Sequence, residues 1–459
     1  MKNFFEPRSV AVIGASNSEH KDGYKILKNI VDCEFKGDIY PVNKSADEIL
    51  GLKAYPKIQD VPGDVDLAVI IIPAKFCAGA VEDCAEKGVK AVIIEAMGFN
   101  EVGAGGTELQ NQIVKVAKEH NIRVMGPNCT GIVSRDMITT FFPIKDIKPN
   151  GNVTMIGQSG LLAAGMASDI IKNDTLKINK ICSIGNKCDI NENDLLNYFK
   201  DDDQTDVVSM YLESIAEGKE LVKVGKEITA KKPVILLYGG RTEAGAAASK
   251  SHTGSIASNS RIVDAAIRQA KFIKAEDFAE LKDYAKLMST MPVPKGNKVA
   301  VVTAAGSVGV VVSDLCEENG LKLPKLGPQT VEALKDVFPE FMPPANPIDL
   351  WFSIEKYGLA KTLEVTMSAP LNDPDIDAVI LILAGFDYTL EVIEKKVVQG
   401  IAAKHNKPII VCMLVGYNEI KNMILEGLGK DIPVFTSLAG GVKALSKYCD
   451  YGMKVHNGK

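Results

Sequence analysis

The chain has 459 residues, 46% hydrophobic and 24% charged, with 39 glycines and a formal net charge of −5. That length exceeds a single core and predicts about three domains, while the mild acidity argues against nucleic acid or an anionic membrane as the main partner. No apolar run approaches membrane-spanning length, the nine cysteines lack CxxC pairs and read as reduced cytosolic thiols, and the five scattered histidines make no case for a metal. The expectation is a cytoplasmic α/β protein.

Short β-branched runs alternate with amphipathic helical stretches, which predicts parallel sheets wrapped by helices. The first block runs to residue 144, with strands in "SVAVIGAS", "DIYPVN", "LAVIIIP", "AVIIEAMG" and "RVMGPN". "VAVIGASNSEHKDG" is a strand, a glycine turn and the approach to a helix, a geometry in which backbone amides and a helix N-terminus meet phosphate. It lacks GxGxxG and an acidic ribose-binding residue, so a plain βα turn stands beside that reading. Turn residues also close the other strands, in "YPVNKS", "IIPAKF", "IIEAMGF" and "GPNCTG", and ligands of open parallel sheets bind along such carboxyl edges. Lys44 is there either as a phosphate contact or as a solvated surface lysine.

"KDIKPNGN" (145–152) and "MPVPKGN" (291–297) are Pro/Gly breaks. They divide the chain into 1–144, 151–290 and 296–459. Blocks two and three read as copies: "NVTMIGQSGLLAAGMASDIIKN" matches "NKVAVVTAAGSVGVVVSDLCEENG", "GNKCDINENDLL" has its counterpart in "NPIDLWFSIEKYGL", and "KKPVILLYGG" matches "NKPIIVCMLVG". A repeat this long is a duplicated domain.

Both copies carry a strand–Gly/Ser–helix junction, "MIGQSGLLAAG" and "VTAAGSVGVVV". Paired in space, they would aim two helix N-termini at one anion, giving a shared phosphate site near Ser159–Gly160 and Gly306–Ser307. "VVSMYLESI" ends a strand with Glu213, either a surface carboxylate or one that holds one imidazole nitrogen and leaves the other to attack. The imidazole would be that of His252, in "AAASKSHTGSIASNS", a stretch of small residues expected to be a mobile loop. The third block lacks both this segment and the carboxylate. "TEAGAAASKSHTGS" resembles a Walker A loop but has Ala244 and Ser249 where its glycines belong, so no nucleotide site is evident.

Taken together, "SHTGS", "YLES", "IGQSG", "GPNCTG" and the late "NPIDL" resemble the α subunits of the ADP-forming acetyl-CoA synthetases (acetate–CoA ligase, ADP-forming), within the succinyl-CoA synthetase superfamily. The resemblance covers essentially the whole chain. It implies an N-terminal Rossmann-like CoA-binding domain followed by two duplicated flavodoxin-like domains. It implies that acyl-CoA and phosphate give acyl phosphate and CoA, that His252 becomes phosphorylated, and that the phosphoryl group then passes to ADP. His252 would be the carrier, Glu213 its orienting carboxylate, and Ser159, Gly160, Gly306 and Ser307 the phosphate site. Gly14, Ala15, Ser16, Asn43, Lys44, Pro73 and Glu95 would line the CoA site, with Asn128 and Cys129 near the thioester. Mg and ADP/ATP would be held by a separate ATP-grasp β subunit in an α2β2 heterotetramer. Two other readings compete: a CoA-binding regulatory or acyltransferase-related module without phosphotransfer, and a nicotinamide oxidoreductase, which leaves the duplication unexplained.

Overall fold

A computed structural model describes the backbone of residues 1–144, 149–160, 176–253, 259–429 and 431–456, and the side chains of these except 250–253 and 388. The start of the first Pro/Gly break, 145–148, thus lies outside the described residues. The chain forms two compact units, Met1–Asn173 with Lys177–Glu276, and Asp174–Leu176 with Asp277–Lys459.

Among the described residues the first unit holds two large sheets and a small antiparallel pair, Glu48–Ile49 with Leu52–Lys53. In the first, the parallel strands Ser9–Ile13, Asp38–Val42, Leu67–Ile70, Ala91–Ile94 and Arg123–Met125 stand in the order 2-1-3-4-5. Its first, third and fourth strands are buried throughout, as expected where helices cover both faces of a parallel sheet. Alternate side chains serve the two faces. Val10, Val12, Leu67, Val69 and Ile93 pack with Ile26, Leu27 and Ile30 of the helix Asp22–Asp32. Ala11, Ile13, Ala68, Ile70 and Val92 meet Val81 and Cys84 of Cys77–Lys87 and Ile113 and Ala117 of Ala104–His120.

The second sheet contains Val153–Gly157, Ile178–Ser183, Val207–Leu212, Val234–Tyr238 and Ile273–Ala275, again parallel and ordered 2-1-3-4-5. At its edge Ile132–Val133 pairs antiparallel with Ile178–Ser183. That short strand precedes the first Pro/Gly break, yet it belongs to the second sheet. Ile156, Cys182, Val208 and Met210 also join the core begun by Val10 and Val12. The two sheets share one interior.

The second unit repeats the order 2-1-3-4-5 with Val299–Thr303, Ile348–Asp349, Ala378–Gly385, Ile409–Gly416 and Val434–Phe435. The helix Phe278–Thr290, which precedes the second break, packs against Leu438–His456 of this unit. The duplication is therefore one of topology, and the pairing registers show which positions correspond. Gly157 lies opposite Tyr211, and Thr303 opposite Ile382. Glu213 then corresponds to Ala384, Gln158 to Ala304 and Gly160 to Gly306. Ser183, opposite Gly157, corresponds to Asp349, opposite Thr303. This corrects the sequence match of "GNKCD" with "NPIDL", which is displaced by several residues.

Candidate functional site

In a 2-1-3-4-5 sheet the connections leave on opposite faces after the first and third strands, which opens a crevice at their carboxyl ends. In the first sheet Gly14 stands at that point. Its φ is +99° and a Cβ there would collide with the Ile71 carbonyl, so only glycine permits the approach. Asn43 ties in the second strand: Nδ2 donates to the Ala15 carbonyl at 2.7 Å, and Oδ1 accepts from the N–H groups of Ser45 and Ala46 at 2.8 and 3.0 Å. Gly14, Ala15, Ser16 and Asn43 are thus brought together, with Lys44 exposed beside them. Exposed Pro73 leads to Phe76, which is 55% exposed, and Met97 is 72% exposed just past the fourth strand. Neither apolar side chain stands out in the sequence, although the strand-end turns "IIPAKF" and "IIEAMGF" that carry them do.

Glu95 and Cys129 are neighbours but do not line an open edge. Both are buried. The carboxyl oxygens of Glu95 make no hydrogen bond of ordinary geometry. Burial first, then the charge of Asp22, holds this carboxyl well above the usual carboxylate range, and the Phe141 N–H offsets that only in part. Cys129 donates to the Ile94 carbonyl at 3.3 Å, and burial, then the charge of Glu95, pushes its thiol up. A thiol so placed is unreactive. Half-buried Asn128 donates through Nδ2 to Oδ1 of Asn186 at 3.2 Å.

The crevice of the second sheet lies between Gln158, after the first strand, and Glu213, after the third. The Gln158 N–H donates to the Tyr211 carbonyl at 3.0 Å, and its Oε1 accepts from the N–H groups of Glu213 and Ser214 at 2.8 and 3.1 Å. Gln158 thereby fixes the backbone that carries Glu213. The Glu213 carboxylate is 4% exposed. Its Oε1 accepts from the Tyr211 hydroxyl at 3.0 Å and its Oε2 from the Ser249 hydroxyl at 3.4 Å. Burial, then the adjacent carboxylate, pushes the Tyr211 phenol up, so it stays a donor. Ser159 is buried. A Cβ on Gly160 would collide with the methyl group of Thr130, whose hydroxyl donates to the Gly160 carbonyl at 3.3 Å. Residues 161–175, expected to continue as a helix, lie outside the described residues.

The segment carrying His252, expected as a loop, is helical over Glu243–Thr253. Four alanines favour that conformation, Glu243 suits the first turn, and the Thr242 hydroxyl caps it by accepting the Gly245 N–H at 3.1 Å. The side chain of His252 and residues 254–258 lie outside the described residues. His252 stands three residues beyond Ser249, so the helical repeat puts both positions on one face. That face meets Glu213 through Ser249.

In the second unit the helix Gly306–Glu318 begins at the equivalent turn, with Gly306 and Ser307 exposed. Two differences set it apart from the first copy. Register matches Ser159 to Ala305, so the hydroxyl of Ser307 sits two positions further on. The Asp349 carboxylate also stands against Gly306, 2.8 Å from where a Cβ would be, and competes with any anion there.

Three family models match the chain: a CoA binding domain at 8–135, a succinyl-CoA ligase like flavodoxin domain at 150–288, and a ligase-CoA domain at 299–456. Among relatives, acetate–CoA ligase [ADP-forming] II of Archaeoglobus fulgidus is 36% identical over 99% of this chain and 67% of its own. The II subunit alpha of the same enzyme type from Pyrococcus furiosus is 36% identical over 94% and 93%. The enzyme of Methanocaldococcus jannaschii is 43% identical over 76% and 49%, so the chain spans about half of that relative. A dinucleotide forming acetyl-coenzyme A synthetase 1 of Ca. Korarchaeum cryptofilum, solved with phosphate and ADP, superposes with a TM-score of 0.91 at 33% identity, covering 100% of this chain and 98% of that one.

Proposed function

Since the chain belongs to the family of ADP-forming acetate–CoA ligases, in its α-subunit form, we propose that it carries acyl transfer to phosphate and the first phosphoryl transfer of that reaction. A phosphate oxygen attacks the acyl carbon of acyl-CoA, the C–S bond breaks, and the sulfur leaves as CoA and takes up a proton. A His252 ring nitrogen then attacks phosphorus, the P–O bond to the acyl group breaks, and the free carboxylate departs. The phosphoryl group finally passes from nitrogen to the terminal phosphate oxygen of ADP, giving ATP and restoring imidazole.

The observation that carries this reading is Glu213, buried at the crevice of the second sheet and bonded to Ser249 of the helix bearing His252. A carboxylate in that place orients an imidazole and stabilises the charge it develops. Ser159 and Gly160 are the proposed phosphate contacts of the first unit, and the helix end at Gly306–Ser307 is a further candidate in the second. CoA is assigned to the edge formed by Gly14–Ser16, Asn43, Lys44 and Pro73, where Phe76 and Met97 suit its apolar arm. The enclosed Glu95 and Cys129 lie behind that edge. Mg and ADP are assigned to a separate ATP-grasp β subunit in an α2β2 assembly, and the free thiols of the nine cysteines fit a reducing cytoplasm. The regulatory-module reading leaves the Glu213 constellation without a use.

The test is chemical. Acetyl-CoA with radiolabelled phosphate should label the wild-type chain with an acid-labile, base-stable group, and His252→Asn should abolish the label while leaving circular dichroism unchanged. Stoichiometric labelling of that variant would overturn the assignment.

A further inference from the structure

The turn 185–187, to which the sequence assigned no chemistry, carries a buried ion pair. Lys187 adopts a left-handed backbone, φ +56°, which a residue with a side chain seldom does. Its side chain is 4% exposed, and Nζ donates to Glu192 Oε2 at 2.9 Å and to the Ser214 carbonyl at 2.8 Å. Glu192 opens the helix Glu192–Phe199 with a fully buried side chain, and its Oε1 accepts the Ala216 N–H at 2.8 Å. The pair therefore clasps residues 214–216, the segment immediately after Glu213. From the neighbouring strand, Gln158 holds the N–H groups of Glu213 and Ser214.

The turn is itself anchored. Asn186 Nδ2 donates to Glu101 Oε2 at 2.7 Å and to Gln110 Oε1 at 3.1 Å, and its Oδ1 accepts from Asn128. Burial opposes ionisation of Glu101, but the hydrogen bonds from Asn186 and from the Gly98 and Phe99 N–H groups outweigh it and keep the carboxyl below its usual range. The anchor is thus a charged acceptor. A buried ion pair is a poor general stabiliser, because desolvation of both charges offsets their attraction, and an apolar pair would fill the same space at least as well. What this pair provides is direction. Among the described residues, both of its partners outside the pair lie on one backbone segment.

We propose that Lys187 and Glu192 are positioning residues for Glu213, fixing the Ser214–Ala216 segment so that the carboxylate is held rigidly at the crevice. The inference rests on the reading of Glu213 as the carboxylate that orients the phosphorylated histidine. Lys187 takes no part in bond making.

The test is a rapid-quench measurement of His252 labelling in the full chain, with radiolabelled acetyl phosphate as donor. Lys187→Met and Glu192→Leu are introduced together, so that neither charge is left buried alone, in the wild-type and the Glu213→Gln backgrounds. The double substitution should slow labelling about tenfold in the wild type, yet by less than about twofold once Glu213 is Gln, since residues acting through Glu213 lose their effect with it. Calorimetric CoA affinity should not move. Lys187→Met with Glu192→Gln keeps the acceptor for Ala216 and should recover part of the rate; it also decides the matter if the leucine variant does not fold. An equal slowing in both backgrounds, or none in either, overturns the positioning role. Normal labelling by Glu213→Gln alone overturns the reading of Glu213, and the positioning role falls with it.

Discussion

Gln158 and Glu213 are joined through the backbone of one and the side chain of the other: Gln158 Oε1 accepts the Glu213 N–H at 2.8 Å. The bond crosses from the first strand to the third, across the crevice in which ligands of such sheets sit. In the second unit the same two positions are Ala304 and Ala384, so that copy keeps the sheet without the clamp. Gln158→Leu should leave the N–H groups of Glu213 and Ser214 unpaired, lowering stability by about 1–3 kcal/mol and slowing labelling of His252. Thermal unfolding and quench kinetics measure the two effects; wild-type behaviour in both would show that the clamp is dispensable.

Glu213→Gln preserves the shape, removes the charge and turns the acceptor of one of the two hydroxyls, Tyr211 or Ser249, into a donor. Phosphorylation of His252 should fall on the order of 10²-fold, with CoA binding unchanged by calorimetry. Collapse of CoA binding with phosphotransfer spared would assign Glu213 to the wrong step.

The buried carboxyl of Glu95 makes stability depend on pH in an unusual sense. Its folded pKa is raised, so between the ordinary carboxylate range and that raised value the folded chain holds a proton that the unfolded chain has lost. Stability from this group is complete below the unfolded pKa and declines as pH rises towards the folded one. Glu95→Gln removes the dependence. The variant should melt above wild type at neutral pH and approach it near pH 4; a lower Tm at pH 7 would mean that Glu95 is ionised and paired.

Gly160 tests the phosphate end. Gly160→Ala forces its Cβ onto the Thr130 methyl group and should cost about 1–3 kcal/mol by overpacking, with a higher KM for phosphate. Adding Thr130→Ser removes that methyl while keeping the hydroxyl bonded to the Gly160 carbonyl, and should restore both. If stability returns but the KM does not, the glycine has a role in binding beyond its fit.

Ser159→Asp and Ser307→Asp separate the two proposed anion contacts. A carboxylate added at either should raise the KM for phosphate by like-charge repulsion, leaving CoA affinity in place. The effect should be larger at buried Ser159 than at exposed Ser307, where Asp349 already stands against the helix end. An unchanged KM in Ser307→Asp would mean that the second unit's helix end does not hold phosphate.

Alternating apolar runs and glycine turns by themselves determined that this chain builds parallel sheets, and the duplicated junctions determined that two of the blocks share a topology. They also singled out Glu213, because a carboxylate ending an apolar strand is visible in the local pattern. Strand order, register and shared cores are set by contacts between residues far apart in the chain, and only the tertiary structure decided them. It moved Ile132–Val133 into the second sheet, and it buried Glu95 and Cys129 in the interior. It also brought Gln158 and the Lys187–Glu192 pair, to which the sequence assigned no role of their own, onto the backbone of Glu213. The helix at Glu243–Thr253 lies between the two cases. Its alanines carry the propensity, but a run of small residues without an apolar stripe reads as a loop until Ser249 finds its acceptor on Glu213.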